Sequence, residues 1–224
     1  MTATLPLLQH YCERAGQPGL FAEPLNALTN LGFIVAAGLA ARSLARAHPS
    51  RAADLWLLVA SLFAIGIGSA TWHLAPSRST EWLDIIPIWL FINLYLLAAL
   101  RRLLGLPAIA VAALWAAYFV SDLAVQAYAP SDLLNGSVMY LPAFAALALL
   151  ALAVHRFDAA AGRALLQSLG ILACALVART ADRALCDAWP GGTHFLWHLL
   201  NGWLLWRLLR LLIDHQPRPS RCCQ

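Results

Sequence analysis

The sequence predicts an all-α, polytopic membrane protein with seven transmembrane helices. Of its 224 residues, 61% are hydrophobic and only 12% are charged, whereas a soluble domain is typically about 45–50% apolar. Several separate apolar runs approach the roughly 20 residues that a helix needs to cross a bilayer. No stretch has the composition of a soluble domain or a long linker, so we expect residues 1–224 to form a single membrane domain.

Apolar runs separated by polar or turn-forming residues define the predicted spans. The spans cover residues 24–44, 54–74, 83–101, 106–125, 137–154, 164–183 and 193–213. The first run has no basic segment before it, so it is interpreted as a first span and not as a cleaved signal peptide. The sixth span contains Arg179 and Asp182, whose i, i+3 spacing suggests an intramembrane ion pair; the alternative is that Arg179 contacts a substrate headgroup.

The distribution of arginine predicts how the helices are oriented. Arginine supplies all fifteen basic residues, and seven spans leave eleven of them on one side: Arg42, Arg46, Arg51, Arg101, Arg102, Arg156, Arg163, Arg207, Arg210, Arg218 and Arg221. The other side has Arg14, Arg78, Arg179 and Arg183. Because basic residues are enriched in cytoplasmic loops, we expect an outer N-terminal segment (1–23) and a cytoplasmic tail (214–224). The arginines form no basic cluster outside short loops, so nucleic acid is not an expected partner.

Five polar residues are predicted to meet at the outer ends of three spans. Ser69 and His73 lie at the end of the second span, and Asp84 lies at the start of the third. His194 and His198 lie at the start of the seventh span. The i, i+4 spacing within each pair puts both members on one helix face, with Ser69 one turn deeper than His73.

This set of residues has the composition of a metal-dependent active site. Three histidines are the protein ligands of one class of catalytic zinc site, which leaves a fourth position for water. Asp84 would then act as the general base, and Ser69 would hydrogen-bond the carbonyl oxygen as it becomes an oxyanion. The alternative is that the histidines are interfacial side chains, since a His-x-x-x-His pair alone does not distinguish the two. Gly66 and Gly68 are expected to allow the close helix approach on which such a site depends.

The motifs resemble those of the alkaline ceramidases, which are seven-span intramembrane zinc amidohydrolases. The resemblance is carried by Gly68-Ser-Ala-Thr-Trp-His73, Glu81-Trp-Leu-Asp-Ile-Ile-Pro87 and His194-Phe-Leu-Trp-His198. The wider superfamily includes adiponectin-receptor-like proteins. The resemblance implies zinc held by the three histidines, with Asp84 and Ser69 as the catalytic groups.

Two further stretches resemble the same family. They are His10-Tyr-Cys-Glu13, followed by Ala22-Glu-Pro-Leu-Asn26, and Ala181-Asp-Arg-Ala-Leu-Cys-Asp187. With the resemblance, an outer location for both cysteines favours a Cys12–Cys186 disulfide, and two free thiols are the alternative. Cys174 is expected to lie in the core of the sixth span.

The N-terminal stretch departs from the family pattern at a calcium site that eukaryotic members have. His10 and Ala15 stand where the pattern has aspartate and asparagine, which leaves Glu13 and Glu23 as the matching carboxylates. Calcium binds six to eight oxygens, so Zn²⁺ is the one cofactor that we predict.

The leading hypothesis is a zinc-dependent amidohydrolase that cleaves the N-acyl amide of ceramide-like lipids to a fatty acid and a long-chain base. The alternatives are a hydrolase of another acyl lipid, a receptor-like or structural seven-span protein with an architectural zinc, and an ion transporter that uses Asp84 and Asp182. We expect a multi-pass protein of a bacterial inner membrane with its site facing the periplasm, or the lumen in a eukaryote. The expected partners are the membrane lipid substrate and the bilayer, without an obligatory protein partner.

Overall fold

Helices make up every long element of the part of the chain that the structure describes. The computed structural model describes residues 11–47 and 52–215, so His10, Arg51, Arg218 and Arg221 lie outside the described residues. The helices are α1 (Pro24–Thr29), α2 (Leu31–Ala47), α3 (Ala53–Leu74), α4 (Arg78–Arg102), α5 (Ala108–Tyr128), α6 (Leu141–His155), α7 (Ala159–Ala181) and α8 (His194–Asp214). Two 3₁₀ segments, Leu133–Tyr140 and Arg183–Leu185, precede α6 and follow α7.

Six helical segments of the described ranges are long and apolar enough to cross a membrane. They are Pro24–Ala47 (α1 with α2), Ala53–Leu74, Arg78–Arg102, Ala108–Tyr128, Leu133–His155 and Ala159–Ala181. The protein is therefore a multi-pass membrane protein, as its composition predicts. Helix α8 is also 21 residues long, and it coincides with the seventh predicted span.

Two helices begin five residues before their predicted spans, because polar caps define helix ends and apolar runs do not. Helix α4 begins at Arg78 and not at 83, since the Ser77 side chain accepts a hydrogen bond from the Thr80 backbone in a capping box. Helix α7 begins at Ala159 and not at 164, since the Asp158 carboxylate accepts hydrogen bonds from two backbone N–H groups of the first turn. Asp84 consequently lies in the second turn of α4.

Helices α2 to α8 form a closed ring in which each one packs against the next along the chain. Helices α3 and α4 have the most extensive contact, and α8 closes the ring by packing on both α7 and α2. Helix α8 also contacts α3 and α4 across the ring, whereas α5 is largely exposed, with only 17% of its apolar stretch buried. The two histidines of α8 are therefore carried by the helix with the most central position.

Cys174 is not in the core. Its side chain is exposed on the outer face of α7 as a free thiol, so the prediction of a buried Cys174 is wrong. Exposure of an apolar helix face is normal for a protein whose surroundings are lipid, because the bilayer is as apolar as a core.

The close contact between α3 and α4 depends on Gly68. A Cβ atom at this position would collide with the backbone carbonyl oxygen of Leu83, and a Cβ atom at Gly66 would crowd the Ile34 side chain. Glycine therefore lets the backbone of α3, just before Ser69, touch the backbone of α4, just before Asp84. The expectation that Gly66 and Gly68 allow a close approach of helices is therefore confirmed.

Replacement of Gly68 by alanine should destabilise the protein by about 1–3 kcal/mol, the usual range for overpacking of a tight contact. Gly38 is the matched control, because it is also inside a helix and a methyl group added there would meet no neighbouring atom within 4 Å. We expect Gly68→Ala to unfold at a clearly lower temperature than wild type in detergent, and Gly38→Ala to unfold at the wild-type temperature or slightly above it. Equal transition temperatures for the two variants would contradict the backbone contact.

Candidate metal centre

Three buried histidines converge at the end of the bundle where α3 finishes and α8 begins. His73, His194 and His198 are each at most 2% exposed, and one ring nitrogen from each lies within 4.8 Å of the others. The ring centroids are 4.6 to 5.3 Å apart. The structure therefore brings together the three histidines that the sequence predicts, in an arrangement that could hold a metal ion.

Hydrogen bonds to the far side of two imidazoles determine which nitrogens face the centre. The Nδ1 atom of His73 is 2.6 Å from the Glu23 carboxylate, which can only accept, so Nδ1 carries the proton. The Nδ1 atom of His198 is 3.0 Å from the Thr29 hydroxyl, which already donates to the Leu25 carbonyl, so Nδ1 is again the donor. Both rings therefore direct the Nε2 lone pair toward the centre.

The two Nε2 atoms, of His73 and His198, are 3.2 Å apart. Neither carries a proton in this tautomer assignment, so two lone pairs face each other at a distance that is unfavourable without a cation between them. Two ligands at about 2.0–2.1 Å on one tetrahedral zinc are separated by about 3.3 Å. The spacing and donor chemistry of the histidines thus fit a metal ion such as Zn²⁺.

A buried ion pair supports His73. The Glu23 carboxylate, in a residue that is 2% exposed, accepts hydrogen bonds from His73, from the Nε atom of Arg14, and from the Asn26 amide at 3.1 Å. Burial by itself would raise the pKa of Glu23, but the hydrogen bonds from His73 and Arg14 outweigh it and hold this pKa below its usual value. Glu23 is therefore an ionised orienting group of the kind that stands behind metal-binding histidines.

Asp182 determines where α8 starts and hence where His194 lies. Its Oδ1 atom accepts hydrogen bonds from the backbone N–H groups of Thr193 (2.7 Å) and His194 (2.9 Å). Gly192, with φ of +62°, approaches this carboxylate so closely that a Cβ atom would collide with it. Asp182 is thus used by backbone donors, and the described residues contain no Arg179–Asp182 ion pair; that prediction is wrong.

The N-terminal segment is tied over the same end of the bundle. Cys12 and Cys186 form a disulfide, with their Cα atoms 5.1 Å apart, and the backbone N–H of Cys12 donates to Asp182. The predicted disulfide is therefore present. The Tyr11 ring stacks on His194, with centroids 4.0 Å apart, and so covers one face of the centre.

Arg14 joins this segment to α3. Its guanidinium is 1% exposed and donates to Glu23, to the backbone oxygens of Gln17 and Gly19, and to the His73 carbonyl at 2.6 Å. A long charged side chain is rarely so buried unless all its donors are used. Arg14 is here an internal cation whose donors bridge the outer segment and the last turn of α3.

The carboxylates of Glu13 and Glu23 fit a calcium site poorly. The two oxygens of Glu13 accept hydrogen bonds from the backbone N–H groups of Leu25 (2.6 Å) and Asn26 (2.8 Å). Those of Glu23 are engaged by His73 and Arg14. The Arg14 guanidinium therefore lies next to the Glu23 carboxylate, at a place where a calcium ion would need six to eight oxygen ligands.

Asp84 and Ser69 lie beside the histidines in the wall of one cavity. This main cavity, of about 510 Å³, is lined by both residues together with His194 and His198. The Ser69 hydroxyl lies near the Asp84 carboxylate. The Oδ1 atom of Asp84 is buried and has no hydrogen-bond partner among the described residues. All five predicted residues are therefore brought together at one end of the bundle.

A second, apolar cavity of about 100 Å³ adjoins the main cavity. The two share six lining residues: Ile88, Ile92, Tyr118, Tyr140, Ala143 and Trp197. Apart from Asn201, the walls of the apolar cavity are hydrophobic or aromatic. A polar cavity beside the histidines thus continues into an apolar cavity. This distribution of polar and apolar walls suits an amphiphilic molecule.

Sequence reasoning missed the roles of Glu23, Arg14 and Asp182. The sequence suggests Glu23 only as a calcium ligand, and Asp182 only as an ion-pair partner or transport group. A carboxylate just before an apolar run, as Glu23 is before Pro24, is a weak signal on its own. The contacts with His73 and His194 arise between segments 50 and 12 residues apart, so spacing could not have revealed them.

The comparisons with known proteins agree with the geometry. A family model described as Ceramidase matches residues 10–212 of the chain. No curated protein and no solved structure matches it.

Replacement of Glu23 by glutamine should weaken metal binding by about 10–100-fold, the usual cost of losing a group that orients a histidine ligand. The amide accepts a weaker hydrogen bond from His73 Nδ1 and loses the ion pair with Arg14. We would measure affinity by competing the purified protein with a chromophoric zinc chelator.

Glu81→Gln is the matched control, because Glu81 pairs with the exposed Arg78 at 2.8 Å and not with a histidine. It should bind zinc as the wild type does. Wild-type affinity in Glu23→Gln, with normal folding, would show that Glu23 does not support the centre.

Proposed function

The chain belongs to the ceramidase family, and from that premise we propose that it is an intramembrane, zinc-dependent amidohydrolase. Its substrate is a ceramide-like lipid, whose N-acyl amide it cleaves to a fatty acid and a long-chain base. The observation that carries this proposal is that two histidines of the centre, His194 and His198, line the same cavity as Asp84 and Ser69, and that this cavity continues into an apolar one. A lipid amide would meet the polar groups while its acyl chain enters the apolar cavity.

We assign the metal as Zn²⁺, held by His73, His194 and His198. Three neutral imidazoles are a typical donor set for catalytic zinc, whereas hard cations prefer oxygen ligands. When bound, zinc supplies Lewis acidity that activates water as a nucleophile near neutral pH.

Asp84 is the proposed proton carrier. Hydrolysis adds the oxygen of water to the carbonyl carbon, breaks the C–N bond and places a proton on the departing amine. The partnerless Oδ1 atom of Asp84 can take a proton from the water and deliver it to that nitrogen. The carboxylate has the Ser69 hydroxyl beside it.

Ser69 is the proposed hydrogen-bond donor to the developing oxyanion. Its hydroxyl is on α3, one turn from His73, and lines the cavity next to Asp84. When a substrate carbonyl lies within its reach, the hydroxyl stabilises the negative charge that forms on oxygen. The nearby rings of Tyr11 and Trp197 also line the cavity and reduce access of bulk water.

We propose that α8 is a seventh span, with the N-terminus outside and the C-terminus in the cytoplasm. The arginine asymmetry supports this orientation. So does the Cys12–Cys186 disulfide at the histidine end, because disulfides persist in oxidising compartments. In a bacterial inner membrane the site would face the periplasm, and in a eukaryotic membrane it would face the lumen.

Calcium has no part in the proposal, since Glu13 and Glu23 are engaged by protein donors. The proposed partners are the lipid substrate and the bilayer, with no nucleic acid and no obligatory protein partner. Another acyl lipid in place of ceramide would use the same groups in the same roles.

Substitution of Asp84 by asparagine should lower the turnover number about 10²–10⁴-fold, the usual contribution of a general acid–base group, while zinc stays bound. His198→Ala should lose both zinc and activity. The protein would be purified in detergent, zinc would be measured by elemental analysis, and fatty-acid release would be followed on a panel of N-acyl lipids.

Asp132→Asn and His155→Ala are the matched controls. Asp132 is an exposed residue at the rim of the cavity, and His155 is exposed at the end of α6, so both variants should retain zinc and activity. Unchanged turnover in Asp84→Asn would exclude the mechanism. Stoichiometric zinc without hydrolysis of any lipid would instead favour a receptor-like protein with an architectural metal.

A further inference from the structure

Arg179 places a positive charge in the wall of the main cavity. It lies in the last turn of α7, and its guanidinium stands over the rings of Tyr140 and Trp197, at 5.7 and 5.3 Å from their centroids. Both rings line the cavity as Arg179 does. Two aromatic faces hold the planar group in place by cation–π attraction, which leaves its hydrogen-bonding edge to point elsewhere.

No carboxylate of the described residues forms an ion pair with this guanidinium. The ion pairs of the described ranges involve Arg14, Arg78, Arg102, Arg210 and His73. The nearest acidic residue along the helix, Asp182, is used by the backbone N–H groups of Cys12, Thr193 and His194. The buried Nε atom of Arg179 has no hydrogen-bond partner among the described residues, and the Tyr11 hydroxyl is the neutral group in contact with its side chain.

An ionised group at membrane depth is costly unless something compensates its charge. Arg14 shows how this chain compensates a buried arginine elsewhere, with a carboxylate and three backbone carbonyls. Arg179 instead has aromatic rings and a hydroxyl around it, and it lines a cavity together with Asp84, with which it forms no ion pair. The guanidinium fork matches a carboxylate or a phosphate, each of which it can bind with two parallel hydrogen bonds.

The position of Arg179 indicates where on a substrate such an anion would lie. Arg179 lines the same cavity as Asp84 and His198, and it stands over the ring of Trp197, the neighbour of His198 in the chain. An anion bound to it therefore lies near the reacting amide and not at a distal part of the headgroup. Because the acyl chain is assigned to the apolar cavity, the anion belongs to the amine side of the molecule.

Among the charged residues that line the cavity, Arg179 is the one placed to bind an anion beside the reacting amide. Glu81 is paired with Arg78, and Asp122 is on α5. Asp132 and Arg183 are exposed at the rim. A negative group would be repelled by the carboxylates of the cavity, Asp84 included, and attracted to Arg179 and to the proposed zinc ion.

We propose that Arg179 is a specificity-determining residue that binds an anionic group, a carboxylate or a phosphate, on the amine side of the substrate next to the scissile amide. The preferred substrates are then ceramide-like and other N-acyl lipids that carry an acid on the amine side, such as a phosphorylated headgroup or the carboxylate of an N-acyl amino acid. This inference rests on the proposed amidohydrolase function and names its substrate class.

The test compares three dodecanoyl amides of similar size with the full-length, zinc-loaded protein in detergent. N-dodecanoylglycine carries a carboxylate, N-dodecanoyl-O-phosphoethanolamine carries a phosphate, and N-dodecanoylethanolamine is neutral. We expect wild-type kcat/KM to favour at least one acid over the neutral amide by roughly 10-fold or more, as charge-assisted hydrogen bonds imply. The favoured acid identifies the anion as carboxylate or phosphate.

Arg179→Gln should reduce kcat/KM for the favoured acid by about 10–100-fold and leave the neutral amide within about threefold. Arg179→Lys should restore part of the preference, because it keeps the charge but not the fork. Arg183→Gln removes the same charge from the rim of the cavity and should leave the preference unchanged.

A binding measurement distinguishes failure of this inference from failure of the proposed function, because it does not depend on hydrolysis. Calorimetry with metal-free protein should detect N-dodecanoylglycine or the phosphate amide in wild type, with affinity reduced about tenfold or more in Arg179→Gln. If wild type binds the acid through Arg179 but hydrolyses none of the amides, the amidohydrolase proposal fails and the anion site stands. If the neutral amide is cleaved as well as both acids, or if Arg179→Gln affects all three equally, the anion site is wrong.

Discussion

The Asp182 carboxylate accepts hydrogen bonds from backbone N–H groups that belong to two separate parts of the protein. One is Cys12 of the N-terminal segment, and the others are Thr193 and His194 at the start of α8. Asp182 itself ends α7, so a single side chain connects three parts of the chain at the histidine end. The geometry of the centre depends on this connection, because α8 carries two of its histidines and the N-terminal segment carries the aromatic cover.

The centre is supported from the opposite side by the Arg14–Glu23–His73 chain. Asp182 and Glu23 act differently. Asp182 holds the backbone at the start of α8, whereas Glu23 determines the tautomer of His73. Both are acidic residues next to the centre whose oxygens are engaged by protein donors. The Oδ1 atom of Asp84, by contrast, has no hydrogen-bond partner among the described residues, and this difference is the basis of the role proposed for it.

Much of the site could be predicted because its elements are local. Ser69 and His73, and likewise His194 and His198, are i, i+4 pairs whose shared face follows from helix geometry alone, and the number of spans brings the pairs to one side. The roles of Glu23, Arg14 and Asp182 could not be predicted, because each depends on a contact made only after distant segments pack. The starts of α4 and α7 were missed for a related reason: Ser77 and Asp158 are polar caps outside the apolar runs that hydropathy detects.

The Cys12–Cys186 disulfide has a consequence for the biosynthesis of the protein. Its two cysteines are separated by 174 residues, and every helix from α1 to α7 lies between them. During synthesis the N-terminal segment must therefore remain unattached until the chain beyond α7 has reached the same side of the membrane. Tyr11 can stack on His194 only then, so the histidine centre receives its aromatic cover last, after the surrounding bundle is almost complete.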